Sequence, residues 1–269
     1  MPTPRTLLLT GAAGGLGTLM RSLLPEYGYD LRLFDVRPID GEPDAITADL
    51  GDRDALREAV RSVDAVLHLA GISLEAPFEK ILRSNIEGTY HLYEAAREAG
   101  VPRVVFASSN HAVGYTPAPR AGDPLIPADT PRRPDTFYGL SKSFGEDLAQ
   151  LYWDRHGLET VSVRIGSCFA EPADVRMLSV WMSPADGARL FHAALTAEEV
   201  GHTVVYGSSA NTRLWWDLTG ARALGYEPQD DSERFAAKLI AEHGELDPHN
   251  PAHTHLGGRF VNDPPIWPY

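Results

Sequence analysis

The stretch that most limits what this chain can become is Thr10-Gly11-Ala12-Ala13-Gly14-Gly15-Leu16-Gly17. It follows a short apolar run, Arg5 to Thr10. It opens onto Leu16, Leu19, Met20, Leu23 and Leu24, a spacing that gives a helix one buried face. The order is therefore strand, tight glycine turn, helix. Glycine at 11, 14 and 17 removes the β-carbon where the chain must turn, where a pyrophosphate must approach the backbone, and where helix packs on strand. The helix start adds amide donors and partial positive charge. Asp35 ends the next strand about 18 residues after Gly17, near the roughly 20 expected of the carboxylate that holds an adenosine ribose. Such a carboxylate accepts the ribose hydroxyls and repels a 2′-phosphate, so NAD is expected over NADP. Arg37 would argue for NADP and reads more simply as a solvated loop arginine.

Strands alternate with helices after the turn. Leu31 to Asp35, Ala45 to Leu50, Val63 to Leu69, Val104 to Ser108 and Val161 to Ile165 read as strands. Arg53 to Val63, Ile81 to Ala99 and Tyr138 to about His156 read as helices. This spacing predicts an α/β fold, a doubly wound parallel sheet of Rossmann type, with its site beyond the carboxyl ends of the strands. Residues 1–165 form the expected dinucleotide-binding core. Residues 166–269, where the alternation weakens apart from a strand-like Thr203 to Gly207, read as a smaller covering segment packed on that core. Asp49 is placed to meet an adenine, to cap a helix, or to serve as a loop acid.

Composition narrows the function. With 37 acidic against 24 basic residues and a formal net charge of −13, the chain repels phosphate backbones, and no nucleic-acid partner is expected. The one cysteine, Cys168, allows no internal disulfide and no cysteine-built metal site; no metal is expected, and cytoplasm is the expected compartment. The apolar run before Gly11 is too short for a signal peptide or a span, so no membrane partner is expected.

Tyr138-Gly139-Leu140-Ser141-Lys142 sets a phenol and an ammonium four residues apart on one helix face. A cation beside a phenol favours phenolate, which suits a general base. Upstream, Ser109 and Asn110 end a strand where a hydroxyl could hold the reacting oxygen, with Ser109 the first choice and Asn110 able to assist.

Glycine turn, Asp35, Tyr138 and Lys142 in this order resemble the extended short-chain dehydrogenase/reductase superfamily over the first 165 or so residues. The strings HLAGIS, APFEKIL, FASSNHAVGY, FYGLSKSFGE, VRIGSCF, EPADVRMLSVW and GGRFVNDPP resemble, within it, the uronate dehydrogenase family across nearly the whole chain. The resemblance implies NAD-dependent oxidation of D-glucuronate or D-galacturonate at C1 to an aldarolactone, with a small uronic acid as partner and a homo-oligomeric assembly. It implies cofactor contacts at Gly11, Gly14, Leu16, Gly17, Asp35 and Asp49, at Leu50, Leu69, Ala70, Asn85 and Ile165, and at Tyr138 and Lys142. It places substrate contacts on Ser73, Ser109, Asn110, His111 and Tyr138, and on Ser167, Arg176 and Phe260. The chemistry is compatible: a uronate needs many neutral hydrogen-bonding groups and one planar cation, for which Arg176 offers a fork. His111 could donate to the ring oxygen or be a loop histidine, and Phe260 could be core. A nucleotide-sugar epimerase or dehydratase, or a non-catalytic NAD sensor, would share the glycine turn and Asp35.

Overall fold

The computed structural model describes residues 5–262. Met1 to Pro4, and Asp263 to Pro265 of the GGRFVNDPP string, lie outside the described residues. In chain order the elements are β1 (Thr6–Thr10), α1 (Gly15–Leu23), β2 (Asp30–Asp35), β3 (Ile46–Thr47), α2 (Arg53–Ala59), β4 (Ala65–His68), α3 (Phe78–Ile81), α4 (Gly88–Glu98) and β5 (Arg103–Ser109). They continue with α5 (Phe137–His156), β6 (Glu159–Ile165), β7 (Ser167–Cys168), α6 (Met177–Val180), β8 (Trp181–Met182), α7 (Pro184–Thr196), β9 (His202–Gly207) and α8 (Thr219–Ala223).

Seven strands form one parallel sheet in the order β3-β2-β1-β4-β5-β6-β9. Strand side chains alternate between two cores, as a two-residue period demands. Leu7, Leu9, Leu67, Val105, Val163 and Val205 meet α1 and α7 through Met20, Leu190, Phe191 and Ala194. Leu8, Val66 and Val104 meet α2, α4 and α5 through Leu56, Leu92, Ala96, Leu148 and Tyr152. The chain runs outward from β1 to β3 and then returns to β4 on the other side of β1. That reversal between β1 and β4 opens a crevice at the strands' carboxyl ends.

Three elements differ from expectation. The strand expected over 45–50 pairs only at Ile46 and Thr47, because Asp49 accepts the Gly51 amide at 2.7 Å and turns the chain toward α2, which Asp52 caps. The helix expected over 81–99 is present and runs unbroken from Phe78 to Glu98, but with a π-helical stretch, Leu82–Glu87, between α3 and α4. The segment after residue 165 also does more than cover. Ser183 and Pro184 start α7, which packs on α1 and β5, and β9 then joins β6 as the seventh strand. Strand β6, helix α7 and strand β9 thus form a parallel crossover unit like those before it. No helix among the described residues is long and apolar enough to cross a membrane.

Candidate active site

The glycine turn makes the first wall of the cleft. Gly11 has φ of +73°, and a β-carbon there would stand 2.7 Å from the amide nitrogen of Ala70. At Gly17 it would stand 2.1 Å from the Gly11 carbonyl oxygen, a contact that neither backbone can relieve without moving. Gly14 caps α1 with no side-chain hydrogen bond, which leaves the first-turn amides for an external acceptor. Helix α5 is the contrast: Thr136 accepts the Gly139 amide at 3.0 Å, and Glu75 accepts those of Phe137 and Tyr138 at 3.2 and 3.0 Å. Gly17→Ala is therefore expected to raise the dissociation constant for NAD by one to two orders of magnitude, from about 1–3 kcal/mol of overpacking. Titration by fluorescence checks this; unchanged affinity would mean that the turn does not hold the dinucleotide.

Asp35 is buried at the end of β2. It accepts the amides of Ala13 and Arg37, each at 2.9 Å, and its two oxygens retain further acceptor sites. Arg37 is mostly exposed and reaches back to the Ala13 carbonyl at 2.6 Å. Asp49, Leu50, Leu69, Ala70 and Ile165 line the same cleft, whose volume is about 1270 Å³. That exceeds an ordinary ligand pocket of about 300–1,000 Å³ and gives room for a dinucleotide with a small second ligand. These residues fit NAD: a glycine cradle that β-carbons would fill, an uncapped helix start and a buried acid with acceptor sites left over.

Asn85 does not line the cleft. From the π-helical stretch it donates to the Ile72 carbonyl at 2.9 Å and accepts the Ile72 amide at 2.8 Å, and it donates to the Ser141 hydroxyl at 3.0 Å. It thereby ties the loop after β4 to α5, and a π-helical bulge at such a position accords with their frequency at functional sites.

Tyr138 and Lys142 face the cleft from α5, with Ser109 entering from β5. Burial pushes the Tyr138 phenol up to about 12; a hydrogen bond with Ser109 lowers it and the charge of Asp135 raises it further. The lysine ammonium donates to the Ala107 carbonyl at 2.7 Å and lies over the rings of Phe106 and Tyr138, 4.9 and 5.5 Å from their centroids. Burial pushes Lys142 itself down to about 8. The choice between Ser109 and its neighbours is spatial. Ser108 also lines the cleft, but its hydroxyl is taken up in donating to Glu146 at 2.7 Å, and Asn110, which does not line the cleft, donates to the Leu256 carbonyl and accepts from Ser109 at 3.3 Å.

Ser73, His111, Ser167, Arg176 and Phe260 line the far half of the cleft. His111 binds Asp135 through Nδ1 at 2.7 Å and stacks on Phe260 with centroids 4.2 Å apart. The Ser167 hydroxyl is buried with no protein partner. Arg176 donates to the Leu256 carbonyl, while its Nε is buried with no partner and no carboxylate of the described residues pairs with it. Burial pushes this guanidinium down to about 10, against the charges of Asp174 and Asp135. Gly258, at φ +61°, lies so close that a β-carbon there would stand 2.8 Å from Arg176 Nε.

Four supporting groups were not singled out in the sequence: Glu75, Asp135, Glu146 and His68. Glu146 is fully buried under Ser108, Arg164 and Arg132. His68 lies between Thr10 and Thr89, and its imidazole is pushed down to about 3 by burial and the nearby charge of Lys142. Each acts on a residue far away in the chain, although Asp135 and Glu146 flank the Tyr138 and Lys142 pair and His68 opens the HLAGIS string.

A parallel sheet with a dinucleotide crevice at its switch point, and a Ser-Tyr-Lys set beside that crevice, defines an extended short-chain dehydrogenase/reductase. Residues 7–216 match the model of the NAD dependent epimerase/dehydratase family. Uronate dehydrogenase of Pseudomonas syringae pv. tomato is 51% identical over 97% of this chain and 94% of its own length. Among solved structures, glucuronic acid dehydrogenase from Chromohalobacter salexigens superposes with a TM-score of 0.91 at 46% identity, covering 97% of this chain and 98% of that one. A mutant of uronate dehydrogenase from Agrobacterium tumefaciens, complexed with NAD, gives 0.90 at 45% identity, covering 97% and 98%. The chain belongs to the NAD dependent epimerase/dehydratase family and, within it, to the uronate dehydrogenases.

Proposed function

We propose that this protein oxidises D-glucuronate or D-galacturonate at the anomeric carbon to the aldarolactone, with NAD as oxidant. The observation that carries the substrate assignment is Arg176: a half-buried guanidinium facing the cleft, with Nε buried and unpartnered and no ion pair to a carboxylate among the described residues. A cation in that condition favours an anionic ligand, and its planar fork suits a carboxylate. Ser73, Ser167 and His111 supply neutral contacts for sugar hydroxyls, and Phe260 supplies an apolar face.

Bound NAD supplies the hydride acceptor and, in its oxidised form, a positively charged ring. The chain's own residues handle the proton and the geometry. Tyr138 takes the proton of the C1 hydroxyl as the carbon gives up hydride, which balances the conversion of hemiacetal to lactone. Ser109, already hydrogen-bonded to Tyr138, orients that hydroxyl, and Asn110 orients Ser109 from behind. Lys142 holds the floor of the site through the Ala107 carbonyl and lends its charge to the cofactor side. Asn85 keeps the loop after β4 in register with α5.

The test is NADH formation with glucuronate, galacturonate, glucose and UDP-glucose in parallel. The two acids should turn over; equal efficiency with glucose would end the uronate assignment, and conversion of the nucleotide sugar without net NADH, followed by chromatography, would favour the epimerase or dehydratase reading. Arg176→Ala should raise KM for either acid roughly 10- to 100-fold, from about 1.5–3 kcal/mol for hydrogen bonds to a charged group, with affinity for NAD unchanged. Arg176→Lys should restore only part of that, since it keeps the charge and loses the fork. A cytoplasmic homo-oligomer fits this reading: Cys168 is a buried free thiol, and Leu140 and Leu151 on α5 are exposed apolar side chains.

A further inference from the structure

The imidazole of His111 faces the cleft, but the group that decides what it can do there is Asp135, which the proposed reaction does not use. The Asp135 side chain is fully buried just before α5. Its Oδ2 lies 2.7 Å from His111 Nδ1, and its Oδ1 accepts the Thr136 hydroxyl at 2.9 Å. Its cradle is built of glycine from three separate parts of the chain. A β-carbon at Gly114 would stand 1.9 Å from Oδ2, one at Gly257 2.0 Å from the same atom, and one at Gly139 2.9 Å from Oδ1. The carboxylate therefore has one place to lie. On its other sides the imidazole meets Phe260, stacked at 4.2 Å and 22°, and Tyr138, edge-on at 5.6 Å.

A carboxylate accepts hydrogen bonds and donates none, so the proton of this contact sits on His111 Nδ1. A ring held in this way has Nε2 left for a ligand, and the buried partner fixes both its orientation and its tautomer.

We propose that Asp135 is a positioning residue that holds His111 in the Nδ1–H tautomer, so that Nε2 presents a lone pair to the cleft and selects the substrate through a sugar hydroxyl near the reacting carbon. The inference rests on the uronate reading and deepens it. A donor at this place would serve a ring oxygen, which has no hydrogen to offer; an acceptor requires a free hydroxyl.

Asp135 also acts by charge on Tyr138 and Arg176. The other groups facing Tyr138 are Lys142 on its own helix, Glu75 at the helix start, and Ser109 and His111 from the end of β5 and the turn after it. Removing the Asp135 charge removes a term that raises the phenol, so the pH limb of Tyr138 moves toward lower pH. A variant that was merely misfolded would lose kcat and NAD affinity together and would not move that limb.

The experiment has a kinetic arm and a spectroscopic arm. In Asp135→Ala, KM for uronate should rise roughly 10-fold with NAD affinity retained and the limb moved to lower pH. The double variant with His111→Ala should raise KM no further than His111→Ala alone, because on the sugar hydroxyl the two residues act through one contact, while the Tyr138 limb still moves. Multiplying effects, or an unchanged KM, would overturn the proposal. In the unmodified protein, nitrogen NMR of the imidazole, assigned by its loss in His111→Ala, should show Nδ1 protonated and Nε2 bare. A protonated Nε2 would overturn it even if Asp135→Ala fails to fold. Absence of uronate turnover by the unmodified enzyme would instead remove the substrate reading, and the tautomer would still be decided by the spectrum.

Discussion

Tyr138→Phe is expected to lower kcat for uronate oxidation by roughly 10²- to 10⁴-fold, the contribution of a positioned general base, while the dissociation constant for NAD stays as it was. Phenylalanine keeps the ring, and with it the packing against Ile81 and Phe260 and the edge contact with His111. Lys142 keeps its bond to the Ala107 carbonyl. Only the hydroxyl is lost, together with its hydrogen bond to Ser109. The pH profile gives the sign. Burial holds the phenol up at about 12 in the free enzyme, and a base must shed its own proton before taking the substrate's. The profile of kcat/KM should therefore rise with pH, and in the variant that limb should be absent. Stopped-flow measurement of NADH formation checks both points. A variant that retains more than a tenth of wild-type kcat would remove Tyr138 from the mechanism.

Glu146→Ala is expected to cause the largest loss of stability. This carboxylate is fully buried and accepts from Arg164 through Nε and Nη2, both at 2.8 Å, from the Ser108 hydroxyl at 2.7 Å and from Arg132 at 3.1 Å. Removing it leaves Arg164, itself buried, without its carboxylate, and breaking a buried pair in this way costs about 3–5 kcal/mol. For a chain of this size that lowers Tm by roughly 10 °C. Burial pushes Glu146 up, but the hydrogen bonds and charge of Arg164, with Ser108 and Arg132, hold it below the ordinary glutamate value. A depressed value in the folded state means that the contribution is present above the unfolded pKa and is lost as pH falls through the folded one. The gap in Tm between wild type and variant should thus narrow below about pH 4. Calorimetry across pH checks it: a shift under about 2 °C at pH 7 would mean that the cluster adds little. Replacing Glu146 and Arg164 together by leucine should be milder than Glu146→Ala alone, since no charge is left stranded. Activity should fall in Glu146→Ala as well, because Ser108, which it holds, precedes Ser109.

Legibility followed the range of the interactions. The glycine turn, Asp35, and Tyr138 with Lys142 were readable because each is a local pattern: a β-carbon omitted where backbone meets backbone, an acid at a strand end, two side chains four residues apart on a helix. Strand β9 was legible as Thr203 to Gly207, but its place in the sheet was not: Pro184, short apolar runs and scattered aromatics hide helix α7 and a crossover unit whose partner, β6, lies some 40 residues back. The π-helical stretch within the helix over 81–99 escaped for a related reason. The apolar spacing continues through it, while the cause is Asn85 bonding to Ile72 and Ser141.

The order of residues by itself determined the α/β class and the dinucleotide turn and set Tyr138 four residues before Lys142 on one helix, since those depend on spacing; Arg176 it offered only through the resemblance to the uronate dehydrogenases. Tertiary structure decided what the Ser108 and Ser109 hydroxyls bind, what Lys142 touches, that Arg176 Nε is buried with no carboxylate paired to it among the described residues, and that Asp135 stands behind His111. These are contacts between segments tens of residues apart. Burial, which sets the acidity of Tyr138 and Lys142, exists only once the sheet, α5 and the later part of the chain have closed around them.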